Sequence, residues 1–477
     1  MRAGFYAADI TPPIGAMRAG SYSPIFIQGI AGPMKVRAAV LESGDRRVAV
    51  VGVDCCLLHR HLVEAALVHL ENHGGPALDD VIISASHTHS GAAVSGFAGT
   101  GVYAQMAPEV RDLLKDSAVP DPWYTDWVAR QLATAILMAA KRLEPAQINT
   151  GVGTESGMVF QRRFICKDGR AYSHPGKMNP DIVAPAGPVD PAVGVIGAWR
   201  EDGSLIGAIV NFACHGTTYS GSMAHADWYH FVEETLQKLF GAEAGVVITN
   251  GPCGDVTQVN NQSLSRDFGV DVTRRLGLRV GAEAAKVLIS APRQAAPTLA
   301  STSCILPIPR RVPTPASLVK AWEVVRAKAD NPTHPDAVFA RERLFAGEVA
   351  RIEPEKQVHL TAIQVGDAVL LSTAAEYFTS LGLRIKQSSP FPHTMVVELA
   401  NDSIGYVPDL AAFDPKTGGG YETVLTAYSC LIPEAGDRIA DRLIEMSRTL
   451  TPDSVAAPAE SKPGSYWDYG RRGPDLE

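Results

Sequence analysis

Six apolar, β-branched runs of strand length, each ending in polar or ionisable side chains, limit what this chain can fold into more than any other feature. RVAVVGV ends at Asp54, VIISAS at His87 and His89, and LIGAIVNFAC at His215. GVVITN ends at the loop GPCGDVT with Asp255, AVLLSTAA at Glu376, and TMVVEL shortly before Asp402 and Tyr406. Runs that are apolar at nearly every position, rather than at alternate ones, read as strands covered on both faces. Segments with apolar residues at helical spacing lie between some of them, such as RHLVEAALVHLENH and DWVARQLATAILMAAKRL. Strands and helices in alternation predict an α/β fold of mixed layers, with β-sheets flanked by helices. Loops at the carboxyl ends of strands form the ligand crevice of such sheets, so the six polar endings are expected to converge on one site.

Composition removes several classes of function. The chain has 477 residues, 46% of them hydrophobic and 20% charged, enough for a large core. A formal net charge of −8, with Arg pairs scattered at 162–163, 310–311 and 471–472, provides no basic field for a phosphate backbone, so no nucleic-acid partner is expected. No run approaches the roughly 20 apolar residues that span a bilayer, and the opening MRAGFYAADITPPIG has no export-signal pattern, so the expected setting is cytoplasmic, away from the membrane. The cysteines are seven, an odd number, with no C-x-x-C pair, which points to small core residues rather than a disulfide framework. No internal repeat is visible. Residues 1–450 read as one catalytic domain in which 313–357, charged and Pro-punctuated, form a solvated helical insertion. Residues 451–477 read as a Pro-, Gly- and charge-rich tail.

His87 and His89 are two residues apart and face one side if the segment is extended. With His215 and Glu376 ending other strands, the pattern fits either polar strand ends bonded to backbone or the ligand set of a metal that keeps an open position for water. The loop NGPCGD lacks the Gly-Lys-Ser/Thr ending of a P-loop and the Gly-x-Gly-x-x-Gly spacing of a dinucleotide site, so a nucleotide is not expected.

ADITPP, SASHTHSG, NFACHGTT, NGPCGDVTQVN, AAEYFTSLGLRIK and NDSIGYVPD, in this order between residue 5 and about residue 450, resemble the catalytic domain of the neutral/alkaline, non-lysosomal ceramidase family. The resemblance implies a zinc amidohydrolase with Zn2+ held by His87, His215, Glu376 and Tyr406. It implies that His89 faces the substrate as a proton-transfer group, with Tyr421 of GGGYET and Arg162 of FQRRF near the carbonyl. Gln161 stands where the family has asparagine. Thr257 of GDVTQVN stands where the family has a serine once considered a nucleophile, and a loop hydrogen bond is expected of it rather than covalent chemistry. Asp54 and Asp255 are candidate orienters of the ligand imidazoles, or turn formers. His225 and Asp227 of MAHADWYH line the pocket, or are a surface histidine and a helix-start aspartate. The implied reaction is attack of metal-activated water on an amide carbonyl, with an ester, a lactone or a sugar-derived linkage as the alternative.

The ceramidases proper are longer, secreted or membrane-facing, and carry a C-terminal immunoglobulin-like domain for which this chain has no length. The expected substrate is therefore a compact, water-soluble small molecule in a closed cavity rather than ceramide. The loop Ala411–Gly420 and the aromatics Tyr466, Trp467 and Tyr469 are expected to act as its lid, or as the arm of a neighbouring subunit in a homo-oligomer.

Overall fold

The structure, a computed structural model, describes residues 1–21, 24–96, 100–116, 119–454 and 464–477. Three times the chain builds the same unit: three successive antiparallel strands, a crossover helix, a fourth strand parallel to the third, and a second helix packed on the first. In the first unit the strands are Arg2–Asp9, Lys35–Ser43, Arg46–Val53 and Asp80–Ala85, and the helices Arg60–Asn72 and Pro122–Lys141. The second has strands Gln147–Thr154, Ala192–Trp199, Leu205–Phe212 and Gly245–Asn250, with helices Trp228–Phe240 and Val270–Ser290. The third has Leu299–Pro309, Glu355–Val365, Ala368–Ser372 and His393–Val397, with Thr379–Ser388 and Ala435–Arg448. The sequence shows no repeat because this topology needs only the right burial pattern, which many residue choices satisfy.

The six apolar runs are the parallel pairs of the three units, and their composition follows from where they sit. Val50, Ile82, Ile209, Val247, Leu370 and Val397 point inward to a core shared by all three sheets. Their neighbours Val51 and Ile83, Val210 and Ile248, Leu371 and Val396 point outward beneath the helices of their own unit. Strands covered on both sides have no position left for a polar residue until they end. The helices follow ordinary rules. Pro122–Lys141 starts at Asp121, whose carboxylate accepts from the backbone N–H groups of Trp123 and Tyr124, and turns Tyr124, Val128, Leu132, Ile136 and Ala139 toward the sheet.

Helices Pro315–Ala327 and Pro335–Ile352 lie between the first two strands of the third unit. The second of them is no solvated excursion: Val338, Leu344, Phe345 and Val349 are buried. Its charged composition hides an apolar stripe at helical spacing. The seven cysteines are free. Among the described residues no helix is long and apolar enough to cross a membrane.

Candidate active site

The carboxyl ends of the parallel pairs meet, and each unit contributes one side chain to a buried group. His87 Nε2 lies 3.2 Å from His215 Nε2 and 3.1 Å from Glu376 Oε2, and His215 Nε2 lies 3.7 Å from that same oxygen. His87 Nδ1 donates to the carbonyl oxygen of Cys56 at 2.7 Å, and His215 Nδ1 to that of Cys253 at 2.8 Å. A carbonyl cannot donate, so both protons sit on Nδ1 and both Nε2 atoms present lone pairs. Two lone pairs and a carboxylate face one another, and Glu376 Oε2 is buried without a hydrogen-bond partner. Such a set repels itself unless a cation or a shared proton lies between, and two imidazoles with a carboxylate suit a divalent metal. With no cation between them, the electrostatics favour the shared proton, on His87. Burial works to lower His87, yet Glu376 and Cys56 drive it well above the usual histidine range. Burial, Arg162 and the other two imidazoles hold His215 well below it.

The backbone around the group is specialised. His87 has a left-handed φ of 59°, so the segment is not the extended one that the spacing predicts. The two histidines still share a site, with His89 Nε2 3.3 Å from His87 Nε2. His89 Nδ1 is 3.0 Å from the carbonyl oxygen of Gly20, which fixes its tautomer in the same way. Gly216 lets two loops touch there: a Cβ on it would lie 2.6 Å from the His87 carbonyl oxygen. Cys56 forms an overlapping donor group with His87 and His89. Burial raises its thiol, but the two imidazoles pull it down to about 6.

Glu376 and Tyr406 pair in a short parallel bridge, and the Tyr406 hydroxyl bonds to the Glu376 carboxylate and stands 2.7 Å from the Tyr421 hydroxyl. Arg162 Nη1 lies 3.1 Å from His215 Nε2, and its guanidinium lies 5.3 Å from the Tyr406 ring centre and 5.0 Å from that of Tyr421. Glu422 holds Arg162 Nε at 2.8 Å from a fully buried position. Gln161 Oε1 accepts the Arg162 backbone N–H at 3.1 Å. The structure thus brings His87, His89, His215, Glu376, Tyr406, Tyr421 and Arg162 together.

Other candidates lie elsewhere or do other work. Asp54 bonds Arg37 and the Lys35 backbone, and Asp255 bonds Gln161 and Thr379, so neither orients an imidazole. Backbone carbonyls do that instead. Thr257 donates to Gln258 Oε1 at 2.8 Å, a loop hydrogen bond. Thr257→Ala is expected to keep most turnover in steady-state kinetics, whereas complete loss with metal still bound would give the hydroxyl a chemical role. Asp227 caps the helix Trp228–Phe240, and His225 stacks on Tyr219.

The group opens into a cavity of about 900 Å³. Helix Pro335–Ile352 forms a wall of it with Val338, Phe345, Val349 and Ile352. The expected lid is absent among the described residues. Tyr466, Trp467 and Tyr469 are exposed, and the loop before Gly420 is tied to Ala171 and Arg163. Sequence reasoning missed Gly20, Cys56, Glu398, Glu422 and this helix wall. Glu422 carried a signal, a carboxylate beside Tyr421 in an otherwise Gly-rich segment; carbonyl acceptors carry none.

An α/β fold of three sheets with a buried His, His and Glu at its strand ends is the class that this geometry defines. No protein-family model matches the chain. The neutral ceramidase of Pseudomonas aeruginosa is 27% identical over 301 residues, which is 60% of this chain and 42% of that protein. This chain therefore spans less than half the length of that curated relative. A crystal structure of neutral ceramidase from Pseudomonas aeruginosa superposes with a TM-score of 0.68 at 19% identity, over 96% of this chain and 76% of that one. A structure of ceramidase complexed with C2 gives the same score and identity, covering 96% and 77%. At that identity the structural likeness speaks for the fold. The chain is thus similar in sequence to a neutral ceramidase over part of its length and shares the neutral ceramidase fold.

Proposed function

We propose that this protein is a zinc-dependent hydrolase that cleaves an amide by attack of water on the carbonyl. The observation that carries the reading is the pair of imidazoles whose Nε2 lone pairs, fixed by the Cys56 and Cys253 carbonyls, face Glu376 Oε2. The similarity to a neutral ceramidase supports the choice of an amide bond. His87, His215, Glu376 and Tyr406 are the residues that would hold the ion. The chemistry it supplies when bound is Lewis acidity, which makes hydroxide available near neutral pH.

The chain's own residues provide the rest. His89 presents a lone pair on Nε2, since its Nδ1 proton is directed to Gly20, and it takes the proton from the attacking water and later returns it to the leaving amine. Tyr421 is half-buried, and desolvation pushes its hydroxyl above the usual tyrosine range, so it stays a donor to the carbonyl oxygen as negative charge develops there. Arg162 adds positive charge beside both tyrosines and remains protonated. Glu422 keeps its guanidinium in place.

The cavity bears on the substrate. A space of about 900 Å³ with an apolar stripe of a helix along one side has room for an amide with an apolar portion. Elemental analysis of protein prepared without chelator, alongside hydrolysis of a panel of N-acyl compounds, tests the reading. One zinc per chain and release of free amine are expected. Metal-free protein that is fully active, or ester cleavage with no amide cleavage, would overturn it.

A further inference from the structure

The charged side chains that line the cavity are matched to partners, with one exception. Arg60 pairs with Glu64 at 3.0 Å, Lys356 with Asp402 at 2.8 Å, Arg310 with Glu353, and Glu376 with His87. Arg341 has a partner of its own. Glu342 has none among the described residues: its hydrogen bond is to the backbone N–H of Ala427, 3.2 Å from Oε2, and no cation lies within ion-pair distance.

Its placement is specific. Val338, Glu342, Phe345, Val349 and Ile352 follow a helical period on the helix Pro335–Ile352, and all five line the cavity. Glu342 is thus one acidic group within an apolar stripe. The next residue after its partner is Tyr428, whose carbonyl accepts the Tyr406 N–H at 2.7 Å and whose ring centre is 6.3 Å from that of Tyr406. The carboxyl is therefore linked through a short strut to the segment that carries Tyr406. A carboxylate in an apolar wall without a counter-charge is costly to ionise until a cation arrives. Burial raises this carboxyl to about 7, against the pull of the Ala427 N–H and of Arg341.

We propose that Glu342 is a cation subsite of the cavity, receiving a protonated primary amine on the substrate while the scissile amide lies at the His87, His215 and Glu376 end. The substrate class is then an N-acyl compound that carries a second, free amine. This rests on the amide-hydrolase reading for its chemistry, but its test does not need turnover.

Calorimetric titration of the full-length, zinc-loaded protein with hexylammonium and with 1-hexanol provides that test. Hexylammonium is expected to bind wild type about tenfold more tightly than Glu342→Gln, the scale of one charge-assisted hydrogen bond, while hexanol binds both equally. The amide of the variant keeps an acceptor for the Ala427 N–H, and unchanged hexanol binding reports an intact cavity. Equal hexylammonium affinity in the two proteins overturns the proposal. So does binding that survives Glu342→Gln but vanishes on removal of zinc, since the amine would then sit on the metal. Failure of every amide to be hydrolysed, with the ammonium preference intact, would count against the amidase reading alone.

Discussion

His87→Ala and His215→Ala are expected to lose metal and turnover together, whereas His89→Ala keeps its metal and loses kcat by about 10²- to 10⁴-fold. The difference follows from geometry. His87 and His215 each present one fixed lone pair to the point that Glu376 Oε2 also faces, so removing either leaves two close donors and an open gap. His89 is half-buried at the cavity side and held by Gly20, and removing this proposed proton-transfer group leaves the three proposed donors in place. His215→Ala removes one of the three donors that face a single point, so its turnover should not return at high zinc. Chelator-treated wild type, by contrast, should regain activity when zinc is restored. Elemental analysis beside kcat for each variant checks the set. A His87→Ala protein with stoichiometric metal and near wild-type kcat would move the ion to another set of donors.

The sequence exposes the half of this architecture that depends on burial. Parallel strands between a shared core and a helical layer must be apolar throughout, so all six of them are visible, and their polar endings name His87, His215 and Glu376. What depends on backbone alone is hidden. The carbonyls of Cys56 and Cys253 fix the two imidazoles, and any residue type could supply a carbonyl, so a search for orienting side chains leads to Asp54 and Asp255, which serve Arg37 and Thr379 instead. The threefold unit is hidden for a related reason, since topology constrains polarity and not identity. The helix Pro335–Ile352 is legible in principle. Its composition is charged, but Val338, Glu342, Phe345 and Val349 recur at helical spacing, and period is a better guide to a face than composition. The tail aromatics Tyr466, Trp467 and Tyr469 are exposed within the chain and do not cover its cavity; large apolar side chains with no periodic context carry no information on what they face.

Glu398→Ala is expected to lower stability by about 3 to 5 kcal/mol and to weaken metal binding by about 10- to 100-fold, although Glu398 is not one of the proposed ligands. Its side chain is fully buried just after the fourth strand of the third unit. Oε2 accepts the backbone N–H groups of Cys253 at 3.1 Å and Tyr377 at 2.9 Å, and Oε1 accepts Asn250 Nδ2 at 3.3 Å and the Cys253 thiol at 2.9 Å. Cys253 is the residue whose carbonyl fixes His215, and Tyr377 follows Glu376 directly. One carboxyl therefore sets the spacing between donors that come from two different units. Alanine leaves the donors around it buried and unpaired, which is the source of the stability loss. Burial lifts this carboxyl to about 7, so Glu398→Gln removes only part of a full charge at neutral pH. It does turn an NH₂ toward a group that itself donates, and it should retain most of the stability while still losing metal affinity. Metal Kd by competition with a chelator, measured together with Tm, separates the two effects. If both variants melt earlier yet bind zinc within about twofold of wild type, a difference of under about 0.5 kcal/mol in binding, then Glu398 supports the fold and does not position the site.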